Sequence, residues 1–335
     1  MSLLRHHTAA ILLLVPALCL AQKNNKDKAG YDRAARATLL HDANVYTTAD
    51  ASNTPVALVT PGHEVVVVER SAPWVKVFAN TDTKDQTDPN LTPDFADAEV
   101  TPSSGWIHDK GIVTPATPNG DNILYGAAAT FEELASQPHA PKGAAAAAHL
   151  LYRRVFEYFP DSPRAAEAAY RSADIRWQLD KTDVSTLPSA KEQEAYLRPQ
   201  IYDGDIKKVM KYYPNTKFAG MAAYDLLDNK LCGDWQGLPK CPEMETGLYV
   251  KYAQQFPDSP RAPEALYNAV YRQGVLVTMY TVQEDRKRAD YAKKQTLALA
   301  DDMKQRFAQS DYTARAAAIA YKVSQDIPVY GNDRE

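Results

Sequence analysis

Hydrophobic and polar positions change their spacing along the chain, and this change divides the sequence into two parts. Residues 32–116 contain short β-branched runs separated by turn residues, such as Glu64-Val-Val-Val-Val-Glu69 and Trp74-Val-Lys-Val-Phe78. Runs of this kind are typical of strands. In residues 142–330 apolar residues instead recur at helical spacing, as at Val155 and Phe159. We therefore expect a two-domain protein, all-β and then all-α.

Three further runs complete the predicted strands of the first part: Asn44-Val-Tyr46, Pro55–Gly62 and Gly105-Trp-Ile-His108. A Pro61-Gly62 turn precedes a valine-rich strand, a Trp-Val-Lys-Val strand follows, and a Gly-Trp-Ile run comes near the end. This order resembles that of the bacterial SH3-like β-barrel. The resemblance covers nearly all of residues 32–116 and implies a small barrel there.

One string of twelve residues occurs twice in the second part. The string Phe159-Pro-Asp-Ser-Pro-Arg-Ala-Ala-Glu-Ala-Ala-Tyr170 returns as Phe256-Pro-Asp-Ser-Pro-Arg-Ala-Pro-Glu-Ala-Leu-Tyr267, and weaker copies begin at Tyr213 and Phe307. The proline ends the preceding helix, while the serine cap, the second proline at the first helical position and the alanine-rich run begin the next. Self-similarity at this spacing indicates one helical hairpin used several times.

The four copies agree at three positions, and this agreement predicts packing rather than chemistry. The predicted cap residues are Ser162, Thr216, Ser259 and Ser310. The position nine residues after the opening aromatic is Ala168, Ala222, Ala265 and Ala316. The position four before it is Val155, Val209, Tyr252 and Met303. A small residue at one recurring position predicts close approach of two helices there.

The blocks at 159–170 and 256–267 resemble the tetratricopeptide-type repeats of bacterial envelope proteins, such as the outer-membrane β-barrel assembly lipoprotein and the Tol-Pal-associated coordinator. The copies lie 54, 43 and 51 residues apart, more than the roughly 34 residues of a tetratricopeptide unit. Longer helices or inserted loops must fill the excess. The resemblance implies a tetratricopeptide-like α-helical repeat solenoid over residues 142–330 and a role in binding proteins.

Residues 1–21 have the composition of a secretory signal peptide. Arg5 precedes a short apolar run, and Ala21 precedes the polar Gln22. The run is too short to span a bilayer, and Cys19 lacks the small residues that normally precede a lipidated cysteine. An anchor and a lipoprotein remain as alternatives. We expect cleavage near Ala21, a periplasmic or otherwise secreted protein, and no transmembrane segment after cleavage.

Charge and cysteine content narrow the possible functions. The chain of 335 residues has 38 basic and 42 acidic residues, a net charge of −4. It shows no basic stripe, so nucleic acid is not an expected partner. Cys232 and Cys241 enclose a short loop, and in an exported protein they are expected to form a disulfide. A metal or redox site would need ligands from elsewhere in the fold.

Two segments between the predicted elements carry further expectations. The run Thr114-Pro-Ala-Thr-Pro-Asn-Gly120 favours a linker, which we place at 117–141. The long loop between Phe78 and Gly105 contains six acidic residues. They are Asp82, Asp85, Asp88, Asp94, Asp97 and Glu99. Their spacing does not match a calcium-binding loop, so a solvated acidic loop is expected.

No catalytic, cofactor or metal-ligand motif is recognisable in the sequence. In SH3-like domains that bind cell-wall peptides, surface aromatic residues form the groove, so Tyr46, Trp74 and Trp106 are candidate binding residues. The alternative is that they fill the barrel interior. On the helical part, Arg164 and Arg261 occupy equivalent first-turn positions and are candidate surface contacts. Alternatively, their stems pack over the preceding aromatic residue.

These observations favour a non-catalytic envelope scaffold or assembly factor that binds envelope proteins through its helical repeats, without a cofactor. Two alternatives stay open. The first is a peptidoglycan-binding protein that acts through the SH3-like domain. The second is a cell-wall enzyme with an unrecognised site.

Overall fold

The computed structural model describes residues 36–82 and 103–331 of the chain. An antiparallel β domain comes first, and a domain of nine described helices follows. The predicted signal peptide at 1–21 and the acidic residues from Asp85 to Glu99 lie outside the described residues. Within the described ranges, no helix combines the length and apolar character needed to cross a membrane.

The described residues of the β domain form seven strands in two sheets. They are β1 (Arg36–Leu39), β2 (Ala43–Val45), β3 (Ala57–Val59), β4 (Glu64–Ser71), β5 (Trp74–Ala79), β6 (Ser103–His108) and β7 (Ile112–Val113). The larger sheet has the order β6-β5-β4-β1-β7, and β2 pairs with β3. A backbone bridge between Tyr46 and Trp106 connects the two sheets. All five predicted runs contain a strand.

Alternation along the central strands separates an inner from an outer face. Val75, Val77 and Ile107 are fully buried and belong to one apolar cluster, whereas Trp74 and Trp106 lie at alternate positions and are partly exposed. Strands β1 and β7 were not among the predicted runs. Strand β1 lacks alternation because its last three residues are all buried, and the Thr38 hydroxyl donates to the His63 carbonyl at 2.8 Å.

The helices follow in chain order. They are α1 (Gly120–Ala135), α2 (Ala144–Tyr158), α3 (Ala165–Ser185), α4 (Gly204–Tyr212), α5 (Lys217–Asp225), α6 (Lys240–Gln255), α7 (Ala262–Val282), α8 (Arg286–Arg306) and α9 (Asp311–Ser324). Consecutive helices pack against each other within the series α1 to α5 and within the series α6 to α9. The 21-residue helices α3 and α7 and the inserted segment 186–203 account for the wide spacing of the sequence blocks.

The helix ends confirm most of the predicted corner. Helices α2, α4, α6 and α8 end immediately before the four aromatic residues that open the blocks. The helix starts differ from the prediction, because α3 begins at Ala165 and Pro163 lies in the turn before it. Ser162 caps that turn by accepting the Arg164 amide at 3.1 Å, and Ser259 does the same for Arg261 at 3.2 Å.

The recurring small and apolar positions pack as predicted. The four alanines nine residues after each aromatic are fully buried. They are Ala168, Ala222, Ala265 and Ala316. Val155, Val209, Tyr252 and Met303 are buried as well, with at most 3 % exposure. The sequence agreement among the blocks therefore marks the interior of the helical domain.

The predicted linker at 117–141 is wrong in its central part, where α1 forms. Leu124 and Ala128 of this helix are fully buried against Leu151, Tyr152 and Val155 of α2. Leu124, Ala128 and Phe131 follow helical spacing, a signal that the preceding proline and threonine residues concealed. Helix α1 is thus a packed part of the helical domain.

A buried arginine joins the two domains. Arg154 of α2 is 2 % exposed, its Nε donates to the Gly62 carbonyl at 3.0 Å, and its Nη2 contacts the Asp82 carboxylate. His63 Nδ1 lies 3.3 Å from the same carboxylate. Asp82 is therefore buried at the junction and is not part of a solvated loop. A side chain at Gly62 would collide with Leu150, so the backbone approaches α2 closely here.

Candidate binding surface

Aromatic side chains cover the outer face of strands β5 and β6. The antiparallel register pairs Trp74 with His108 and Lys76 with Trp106. Residues paired in this way point to the same face. The face opposite carries the buried Val75 and Ile107 pair, so the aromatic residues point away from the core.

The rings contact one another in defined geometries. Tyr46 lies edge-on to Trp74, with centroids 5.7 Å apart and ring planes at 89°. Trp74 stacks on His108 at 4.0 Å with an interplanar angle of 26°. The Lys76 Nζ lies 5.9 Å from the centre of the Trp106 ring. Such edge and stacked arrangements add about 0.5–1.5 kcal/mol each beyond the area they bury.

A glycine allows Tyr46 to join this face. The Tyr46 amide donates to the Trp106 carbonyl at 2.9 Å, and the Trp106 amide donates back at 2.7 Å. A Cβ atom at Gly105 would lie 2.5 Å from the Tyr46 carbonyl oxygen. The Gly105-Trp106 pair thus brings an aromatic residue of the second sheet beside those of β5 and β6.

The structure brings Tyr46, Trp74 and Trp106 together on one partly exposed surface, which we call the aromatic face. They do not fill the interior of the β domain. His108 and Phe78, which is 51 % exposed, lie on the same side of these strands and were missed by the sequence analysis. Phe78 lies four residues after Trp74 on one strand, so period-two alternation was a signal for it. Flat, half-exposed rings of this kind can stack against a sugar ring or a peptide plane.

Arg164 and Arg261 do not lie on the aromatic face, and both have partners within the protein. The Arg164 guanidinium lies 4.4 Å from the Tyr125 ring and donates to Asn122 at 2.5 Å. The Arg261 guanidinium lies 5.3 Å from the Tyr224 ring and donates to a carboxylate one turn further along α7 at 2.7 Å. Both arginines therefore stack on a tyrosine of an earlier helix. The alternative expected from the sequence was that each arginine packs over the aromatic residue that opens its own block.

The cysteine pair is positioned as predicted. The sulfur atoms of Cys232 and Cys241 lie at bonding distance, with the Cα atoms 6.0 Å apart. The loop between them contributes Trp235 to a groove of about 500 Å³ that Tyr271 and Arg272 of α7 also line. Arg272 is buried and pairs with Glu245 at 2.6 Å. This ion pair anchors α6 against α7 beneath the disulfide loop.

Burial raises the pKa of two carboxyl groups in the helical domain. Burial and the nearby Asp174 raise the pKa of Asp225 to about 7, even though it accepts a hydrogen bond from the Tyr170 hydroxyl at 3.1 Å. Burial also raises the pKa of Asp180 to about 6. Among residues 36–82 and 103–331, no group of three or more histidine, cysteine or acidic side chains is placed to hold a metal ion.

Comparison of the sequence with models of known protein families found no match, and comparison with characterised proteins found none either.

Proposed function

We propose that this protein is a non-catalytic, exported scaffold of the bacterial cell envelope that binds other proteins through its helical domain. In this proposal the β domain is an SH3-like barrel, and the helical domain is a tetratricopeptide-like solenoid. The single sheet-to-sheet core of the β domain and the recurring sequence blocks of the helical domain support these two assignments.

The exposed tyrosines of the helical domain carry the proposal. Tyr212, Tyr291 and Tyr321 lie on α4, α8 and α9 and are 64 %, 63 % and 64 % exposed. Tyrosine is enriched at protein interfaces because it supplies a large contact area and a hydrogen-bonding group at a small cost in side-chain entropy. The buried junction at Arg154 holds the β domain against α2 of the helical domain, which suits a scaffold with two contact surfaces.

Capture from envelope extracts with the full-length protein tests this proposal. We expect the wild type to capture a reproducible set of proteins. A triple variant with serine in place of Tyr212, Tyr291 and Tyr321 should no longer capture them. The matched control is Tyr196→Ser, which removes a tyrosine that is 77 % exposed from the inserted segment outside the long helices. If the triple variant still captures all of these proteins, the result contradicts a binding role for these helices.

The aromatic face favours a second candidate function, which is binding of peptidoglycan through the β domain. Tyr46, Trp74 and Trp106 form an aromatic cluster with Lys76 at its side. Stacked aromatic rings suit the sugar rings and peptide stems of a cell wall. This candidate places the recognition chemistry on the β domain and leaves the helices as a spacer.

Cosedimentation with purified sacculi separates the candidates. Peptidoglycan binding predicts that wild-type protein pellets and that Trp106→Ala does not, while its melting temperature stays close to that of the wild type. Val68→Ala is the control, since it shortens an exposed apolar residue of β4. Release of soluble muropeptides in this assay would contradict both non-catalytic proposals.

A further inference from the structure

A pocket of about 430 Å³ lies at the C-terminal end of α3, where the segment before α4 packs against the helix. Asp180 and Asp183 line it from α3, and Tyr202 and Asp203 line it from that segment. It lies in the helical domain and belongs neither to the aromatic face nor to the groove beneath the disulfide loop. Its lining is rich in carboxylates.

Asp180 differs from the other buried acidic residues in its hydrogen bonding. Its side chain is only 4 % exposed, yet neither carboxylate oxygen accepts a hydrogen bond from a side chain of the described residues, and the nearby donor is the Tyr202 backbone amide. By contrast, the buried Asp225 accepts a bond from Tyr170, and the buried Glu245 accepts one from Arg272. A buried polar group that lacks partners is unfavourable, so a carboxylate with open acceptor positions at the wall of a pocket points to a ligand that supplies donors.

The neighbouring charges are largely committed to other partners. Lys207 pairs with Asp203 at 2.6 Å. Arg176, one turn before Asp180 on α3, donates to Asp205 at 3.1 Å and lies 3.8 Å from the centre of the Tyr202 ring. A ligand in this pocket would therefore meet the Asp180 carboxylate with the exposed Asp183 and the Arg176 guanidinium nearby.

We propose that this pocket binds an organic cation with N–H donors, namely a guanidinium or alkylammonium group. A guanidinium can donate to both oxygens of one carboxylate at once, and an ammonium can donate to either oxygen. The group could belong to a free amine or to a basic side chain of a peptide. The inference is independent of the proposed scaffold function.

The charge of Asp180 must control this binding. Burial raises its pKa to about 6, while the Arg176 guanidinium and the Tyr202 backbone amide lower it, and Asp183 and Asp205 raise it. Above pH 6 the carboxylate is charged and attracts a cation. Below pH 6 it gains a proton, so affinity should fall as the pH is lowered through this value.

Calorimetric titration of the full-length protein tests the proposal with three probes: agmatine, cadaverine and N-acetylarginine amide. Binding of agmatine or cadaverine indicates that a free guanidinium or ammonium group suffices. Binding of the arginine amide alone indicates a peptide side chain. We expect saturable binding of at least one probe at pH 8 and at least tenfold weaker binding at pH 5. Absence of saturable binding by all three probes would overturn the proposal.

Asp180→Asn is the decisive variant, because an uncharged amide keeps the shape of the side chain. It should lose probe binding at pH 8, while Asp301→Asn, which removes an exposed carboxylate from α8, should bind like the wild type. Binding retained in Asp180→Asn would also overturn the proposal. If this variant does not fold, the pH dependence of the wild type still decides, since affinity unchanged between pH 8 and pH 5 contradicts a role for Asp180.

Discussion

Replacing Arg154 with methionine removes the positive charge at the junction of the two domains. The guanidinium is 2 % exposed and contacts Asp82, Glu157 and the Gly62 carbonyl. Methionine fills part of the space but donates no hydrogen bond. Asp82, itself 5 % exposed, would then keep a buried negative charge with His63 and the Glu64 backbone amide beside it.

The expected loss in the free energy of unfolding is about 3–5 kcal/mol, the usual effect of removing one member of a buried ion pair. This is a large share of the roughly 5–15 kcal/mol that stabilises a typical domain. At about 2–4 °C per kcal/mol, the melting temperature should fall by about 10 °C. Thermal and urea denaturation followed by circular dichroism measure both quantities.

Arg153→Met is the matched control, since the neighbouring Arg153 is partly exposed and pairs with Glu157 at 2.6 Å. A pair of this kind contributes about 0–1 kcal/mol. Adding Asp82→Asn to Arg154→Met should recover part of the loss, because no buried charge then lacks a partner. Equal stability of Arg154→Met and Arg153→Met would refute the reasoning.

The loss of unfolding free energy caused by Arg154→Met should depend on pH. Burial raises the pKa of Asp82, but the hydrogen bond from His63 and the Arg154 guanidinium outweigh it, and the pKa lies below 3.8 in the folded protein. A depressed pKa contributes stability above the unfolded pKa and loses it as the pH falls through the folded value. The difference between wild type and Arg154→Met should therefore be largest near neutral pH and shrink below about pH 4.

Three other outcomes can be measured directly. Leucine at Ala168 or Ala265 should cost about 1–3 kcal/mol of unfolding free energy in denaturant titrations, because both alanines are fully buried between helices; unchanged stability would argue against close packing there. Reducing the Cys232–Cys241 bond should cost about 2.5–3 kcal/mol for a loop of this length, and identical melts with and without reductant would count against the bond. Mass spectrometry of exported protein should find Gln22 at the N-terminus, whereas an intact leader or a lipidated Cys19 would overturn the predicted cleavage.

The sequence predicted the elements whose signals are local. The valine-rich runs predicted β4 and β5, and the four recurring aromatic residues, three of them followed by proline, predicted the ends of four helices. Strand β1 was missed because it is only four residues long and contains no run of β-branched residues. Helix α1 was missed because the Pro/Thr segment before it obscured the spacing of Leu124 and Ala128.

The candidate sites were harder to predict from the sequence, because they depend on tertiary contacts. Tyr46, Trp74 and Trp106 were identified as aromatic residues, but only the strand register decides that they share an outer face. The pocket at Asp180 had no sequence signal, because Tyr202 reaches it from 22 positions away and the missing hydrogen bonds follow from packing. The role of Arg154 likewise depends on Asp82, 72 residues earlier in the chain.

Site-specific photocrosslinking in intact cells tests the proposed scaffold function most directly. A photoreactive residue would replace Tyr291 or Tyr321 on the helices, or Trp106 on the aromatic face, one position at a time. The scaffold proposal predicts discrete crosslinked proteins from the two helical positions. No crosslinked protein from either helical position, together with attachment of cell-wall material at position 106, would contradict it and favour peptidoglycan binding.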